Sequence, residues 1–144
     1  MVGDVRRGLG RDAKTTFLIV DAQSVRNTDT AEQKGFDGGK LVSGIKRHIG
    51  VDTNGLPHAI HVTTANVTDR AGALAILSTI GASVEIAKRS ELHKFAVIPK
   101  RWVVERSFAW LDKCRRLWKN CERKLNTSLN MVVLAFLALL LKRS

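Results

Sequence analysis

The spacing of hydrophobic positions changes along this chain, and each change marks an element. Phe17, Leu18, Ile19 and Val20 are apolar on both faces and end at Asp21, which predicts a strand in a covered sheet with a carboxylate at its C-terminal rim. Residues 26–39 are polar and then Gly-rich, closing on Gly35, Phe36, Asp37, Gly38 and Gly39. They read as a loop able to approach a ligand closely. From residue 40 to 65 the pattern alternates around Asn54-Gly55, the signal of a hairpin with a tight primed turn. With those two as loop residues, Thr53 faces Leu56, Val51 faces His58, Ile49 faces Ile60 and Arg47 faces Val62 on a mainly apolar side. Gly50 then faces Ala59, His48 faces His61 and Lys46 faces Thr63 on a small or polar side expected to be less deeply covered.

Helical spacing takes over further on. Residues 71–80 have the composition of a short helix, with Asp69 as N-cap and Gly81 as the stop. Residues 83–88 alternate as a strand does. Pro99 opens a long helix over residues 100 to about 123. Its apolar stripe holds Val104, Phe108, Leu111 and Trp118, widened by Val103, Trp110, Cys114, Leu117 and Cys121. A last helix, capped by Asn126, Thr127 or Ser128, carries residues 131–141 and is apolar almost all round. Such a helix needs a partner surface, and a homo-oligomer through it is one way to supply that. Residues 1–16 are rich in Gly and Arg without periodicity and read as a disordered leader. The remaining residues, 17–144, form one domain of α/β class.

Charge narrows the partner. Lys and Arg total 24 against 13 Asp and Glu, a net charge of +11, and an excess of this size favours a polyanion, with nucleic acid as the default. The cations expected to meet DNA are Lys40, Lys46 and Arg47 in the loop and hairpin, and Lys100, Arg101, Arg106, Arg115, Arg116 and Lys119 in the long helix, with Trp102 beside them. The apolar run near the C-terminus is short of the ~20 residues that span a bilayer, so no membrane is expected. The N-terminal stretch has no apolar segment behind its basic residues, so the protein is expected to be cytoplasmic. Cys114 and Cys121 on one helix would lie ~10 Å apart, too far for a disulfide.

Two acids invite chemistry. Asp21 at a strand end either caps a turn or serves as a ligand. Glu105 lies on the border of the apolar stripe, four residues after Arg101, and either pairs with it or faces the rim that holds Asp21. In the second case the two supply hard oxygen donors for Mg²⁺ or Mn²⁺, and a metal among cations points to phosphoryl chemistry. His48 and His61, opposite each other, read as a satisfied polar pair in the absence of an adjacent third ligand. No Walker, Rossmann or CxxC pattern occurs, which leaves nucleotide hydrolysis without support.

Five blocks carry a resemblance: residues 17–25 (FLIVDAQSV), 35–48 (GFDGGKLVSGIKRH), 51–56 (VDTNGL), 65–72 (ANVTDRAG) and 101–111 (RWVVERSFAWL). In this order they resemble bacterial insertion-sequence transposases of the DDE class, in the IS-five-like group of the IS-four superfamily, over nearly everything from residue 17 onward. The resemblance implies a ribonuclease-H-like mixed sheet flanked by helices. It makes Asp21 the first catalytic, metal-binding carboxylate and Glu105 the last. It also implies Mg²⁺ or Mn²⁺ as cofactor, with insertion-sequence ends and target DNA as partners. The family's middle Asp, in a block resembling Ala-Asp-Gly-Gly-Tyr, belongs between residues 80 and 83, where only Gly81 and Ala82 stand. The fold is thus expected to be incomplete, lacking that strand, and the chain to be an internally deleted and N-terminally truncated remnant. Asp52 and Asp69 are the nearby acids to weigh as substitutes. Two readings follow: a transposase whose metal-dependent cleavage and strand transfer is impaired, or a non-catalytic DNA-binding module that interferes with a full-length relative.

Overall fold

A computed structural model describes residues 1–80 and 101–142, with Arg101 described in its backbone alone. The elements run α1 (Val2–Gly8), β1 (Ile19–Arg26), β2 (Gly35–Asp37), β3 (Val42–Val51), β4 (Pro57–Thr64), α2 (Asp69–Ile80), α3 (Arg101–Asp112) and α4 (Leu125–Leu141). The expected strand at 83–88 lies outside the described residues, as does the helix start at Pro99.

β3 is the centre of the sheet. β1 pairs antiparallel with it from Ile19↔Val51 to Arg26↔Gly44. Because Gly44 also pairs with Gly35 of β2, β2 takes the edge opposite β1 and shares it with β4. All these ladders are antiparallel, so among the described residues the expected mixed sheet is represented only by one parallel bridge, Asn27↔Asn120.

Strand alternation divides the sheet into two faces. Ile19, Ile49 and Val51 pack with Val103, Val104, Phe108 and Leu111 of α3, and with Val132 and Phe136 of α4, in one buried core. Lys46, His48 and Gly50 point the other way, toward α2. Gly72 of α2 lies against His48, and a Cβ there would run into the imidazole ring. The β3 half of the polar side is more deeply covered than expected, with His48 fully buried and Lys46 5 % exposed, while Ala59, His61 and Thr63 of β4 are half-buried. The Gly at position 72 allows this by letting the helix backbone sit directly on the ring.

The hairpin register holds from Lys46↔Thr63 to Gly50↔Ala59 and then shifts, with Val51 opposite Pro57 instead of His58. The turn is the reason. The Gly55 amide donates to the Asp52 carbonyl (2.9 Å), and the Asp52 amide to the Leu56 carbonyl (3.0 Å). The loop thus has three residues and ends on Gly55 at φ +79°, a turn followed by a left-handed glycine in place of a two-residue primed turn.

Four further expectations give way to contacts seen in the fold. Residues 1–16 contain α1, whose Arg6 is buried and pairs with buried Asp52. The Ala71 amide donates to the Thr68 hydroxyl (3.2 Å), so Thr68 is the residue that caps α2. The long basic helix stops at Asp112. Beyond it the Asn120 amide donates to the Arg26 carbonyl (2.8 Å) and the Asn120 carbonyl accepts from Thr28 (2.9 Å). This ties the chain to the end of β1, so Cys114 and Cys121 do not share a helix. α4 starts at Leu125 without a side-chain cap of its own; Gln33 supplies one, accepting from the Leu125 amide (2.7 Å). Its outward stripe of Leu134, Leu137 and Leu141 is exposed, and no helix of the described residues is long and apolar enough to cross a membrane.

Candidate active site and nucleic-acid interface

Asp21 is the third residue of β1 instead of its C-terminal end, opposite Ile49. Phe17 is 55 % exposed and precedes the strand, so the apolar run and the strand are offset. Alternation puts Asp21 and Gln23 on the side of the sheet that α3 covers. On α3 the helical period aligns Glu105, Phe108, Ala109 and Asp112 in one row. The two rows meet across a cavity of about 390 Å³ lined by Asp21, Gln23, Lys40, Glu105 and Asp112 among others. Asp21 and Glu105 are thus brought to one place, as expected if both act on the same group.

Sequence reasoning missed Asp112 and Gln23. The Gln23 side-chain amide donates to both carboxylate oxygens of Asp112, at 3.1 and 3.0 Å. Asp112 stands seven residues after Glu105, two turns along the same helix face, and that spacing was the available signal. Asp21 Oδ1 accepts from the Ala22 amide at 2.8 Å. Lys40 Nζ donates to the Ala22 carbonyl at 3.1 Å, fixing a cation in the cavity wall. Opposite Gln23 in the ladder lies Arg47, 1 % exposed. Burial pulls its guanidinium down to about 10, against the opposing charge of Asp112.

Arg47 is therefore no surface cation, and neither is Lys46. Arg47 donates to the Leu117 carbonyl (2.7 Å), holding the segment after α3 against the sheet. Lys46 Nζ lies 3.2 Å from Asp37 and 2.9 Å from Asp69 and donates to the Val67 carbonyl (2.8 Å). Both belong to internal networks because alternation aims them at the helices above and below the sheet. Lys100 lies outside the described residues, and Arg101 opens α3. Arg106, Arg115, Arg116 and Lys119 are exposed. Arg116 bonds Glu122 (2.9 Å), and Lys119 lies over Trp118 (5.2 Å). The Arg106 guanidinium sits between two indoles, 4.9 Å from the Trp102 ring centre and 5.1 Å from that of Trp110.

The candidate substitutes for a middle carboxylate lie elsewhere. Asp52 is fully buried and accepts from Arg6 and from the amides of Asn54 (2.9 Å) and Leu56 (3.0 Å), with His58 Nε2 at 3.3 Å. Burial works to raise its pKa, but the Leu56 amide, Arg6 and His58 together bring it below the usual value. Asp69 pairs with Lys46 on the opposite side of the sheet. The opposed histidines His48 and His61 have ring centres 6.3 Å apart, with His48 Nε2 3.0 Å from the Thr63 hydroxyl.

Carboxylates at one cavity are the donor type that suits a hard divalent cation. Asp21 and Glu105 supply such oxygens, while Asp112 directs both of its own to Gln23. Among the described residues no three His, Cys, Asp or Glu side chains are arranged to hold a metal.

The family model described as the transposase DDE domain matches this chain in two segments, residues 12–87 and 81–141. No curated protein matches it. No solved structure matches it. With the two segments together taking in most of the sequence, the chain belongs to the transposase DDE-domain family.

Proposed function

We propose that the chain is an insertion-sequence transposase of the IS-five-like group, acting on DNA in the cytoplasm, whose strand cleavage and transfer are impaired. The observation that carries this reading is the convergence of Asp21 and Glu105, distant in sequence, on one cavity within a chain of this family. A ribonuclease-H-like domain, residues 17–144, accounts for a β1–β3–β4 antiparallel arrangement with α2 on one face and α3 and α4 on the other.

In that reading Asp21 and Glu105 are the catalytic carboxylates that hold Mg²⁺ or Mn²⁺, which when bound supplies Lewis acidity to sharpen an oxygen nucleophile and to stabilise the leaving oxygen. The chain's own residues prepare the site. The Ala22 amide orients Asp21, Lys40 offers a fixed positive charge to a phosphate, and Gln23 keeps Asp112 beside the cavity. Impairment is inferred from the missing Asp block. The family match divides into segments that overlap at residues 81–87, next to the position where that block belongs, and neither Asp52 nor Asp69 lines the cavity.

An excision assay on a plasmid carrying the element's ends tests this reading. No excision is expected, and excision abolished by Asp21→Ala would overturn the impairment. The second reading, a non-catalytic DNA-binding module that interferes with a full-length transposase, is favoured by the exposed cations Arg106, Arg115 and Lys119. Co-expression that lowers excision by the full-length enzyme supports it.

A further inference from the structure

Lys40 enters the wall of the Asp21–Glu105 cavity from the tip of a hairpin, and one carboxylate holds that tip. β2 and β3 pair as far as Asp37↔Val42, which leaves residues 38–41 to turn the chain. Asp37 Oδ1 accepts from the Gly39 and Lys40 amides, at 3.1 and 3.2 Å, and closes the tip from inside. Its Oδ2 accepts from the Ser24 hydroxyl at 2.5 Å and lies 3.2 Å from Lys46 Nζ. Ser24 and Lys46 are opposite each other in the ladder, so both point to the α2 side of the sheet. Lys46 is part of β3, to which the tip is already joined. Ser24 is therefore the tie that crosses to β1, the strand bearing Asp21.

The tip is held in an unfavourable conformation. Leu41 is the one non-glycine with positive φ among the described residues, at +54°, and it is 70 % exposed. A bulky side chain is disfavoured in the left-handed region unless its surroundings impose it. Burial does not compensate Leu41, so the bonds from Asp37 to the two preceding amides are what impose it. The constrained tip delivers the side chain of Lys40. Its Nζ donates to the Ala22 carbonyl at 3.1 Å, and the Ala22 amide donates to Asp21 Oδ1 at 2.8 Å. Ammonium and carboxylate are thus anchored on one residue of β1. An ammonium has three N–H donors, so a bond to one carbonyl fixes its place without exhausting it.

We propose that Asp37 is a positioning residue: it ties the hairpin tip to β1 so that the Lys40 ammonium stands beside Asp21 to receive a backbone phosphate of DNA. An acid thereby strengthens the grip on a polyanion. This inference rests on the DNA reading above, and its test separates the two.

Fluorescence anisotropy of the full chain with a short labelled duplex is followed across a range of salt. Lys40→Met is expected to weaken binding and to lower the slope of log affinity against log salt by about 0.9, the share of one phosphate contact. Asp37→Asn removes a negative charge, which by itself favours binding to a polyanion. It is expected instead to weaken binding and to lower the slope by a similar amount, with the double variant no weaker than Lys40→Met alone. Asp29→Asn, which removes an exposed acid outside the hairpin, is expected to bind at least as tightly as the unmodified chain. If Asp37→Asn does not fold, Ser24→Ala decides, because it cuts the tie to β1 and alters no charge; weaker binding with a lower slope is again expected. Undiminished binding by Asp37→Asn, or by Ser24→Ala in its place, overturns the positioning role. So do losses that add in the double variant, or no loss in Lys40→Met, and each of these leaves the DNA reading standing. An unmodified chain that binds no duplex overturns the DNA reading itself.

Discussion

Gln23 of β1 donates its amide to both oxygens of Asp112 on α3, so the strand that carries Asp21 also holds a third carboxylate at the same cavity. If Asp21 and Glu105 hold a divalent ion, adding Mn²⁺ stabilises the fold by about 1.4 kcal/mol at tenfold excess over Kd. Asp21→Asn and Glu105→Gln are expected to remove this response in thermal unfolding. Gln23→Met, which frees Asp112, is expected to keep or enlarge it. A Mn²⁺ response unchanged in Asp21→Asn would take the metal role away from that residue.

Arg6 and Asp52 form a buried pair between α1 and the hairpin turn. Arg6→Ala leaves the Asp52 carboxylate in the interior without its cationic partner, a change that costs about 3–5 kcal/mol in such pairs. Urea unfolding measures it. Adding Asp52→Asn removes the uncompensated charge and is expected to restore part of the loss.

Burial holds the His48 imidazole at about 4 against its ordinary 6.5. The folded chain keeps this ring neutral while the unfolded chain takes up a proton below 6.5, so its stabilising contribution is complete above that value and is lost as pH falls from 6.5 to about 4. The loss is about 3 kcal/mol at 1.36 kcal/mol per unit. Urea titrations across that window are expected to show the slope, and His48→Phe to flatten it. Asp37 acts lower down. The Ser24 hydroxyl, 2.5 Å away, and Lys46 hold it at about 2, so the stability it contributes is lost only as pH falls below 3.8 toward 2.

Salt dependence distinguishes surface cations from buried ones. Each phosphate contact contributes about 0.9 to the slope of log affinity against log salt. Arg115→Ala and Lys119→Ala are expected to lower the slope by about that amount each if they touch the backbone. Lys46→Met is expected to leave the slope unchanged, because Asp37 and Asp69 already hold its ammonium inside the fold.

Local patterns told most where local physics decides. The pairs from Lys46–Thr63 to Gly50–Ala59 follow from alternation around a glycine turn. For Glu105 the pattern left open a pairing with Arg101 or a place facing Asp21; both acids line one cavity. The pattern misjudged features set by partners far along the chain. The basic run past Asp112 has helical spacing, but Asn120 bonds to the end of β1 and the helix stops. Lys46 and Arg47 look like solvated cations until tertiary packing aims them inward. Residues 1–16 lack periodicity, yet one arginine meeting a buried aspartate anchors a short helix there. Asp112 went unnoticed because its significance depends on Gln23 across the cavity.

Asn120 bonds through its backbone to Arg26 and Thr28, and through its side chain to Asn27 and Ser128. It is a rivet joining the tail of the strand that bears one acid to the stretch leaving the helix that bears the other. The separation of Asp21 and Glu105 is thereby governed from a distance, and a substitution at this asparagine would retune the cavity without altering any residue in its wall.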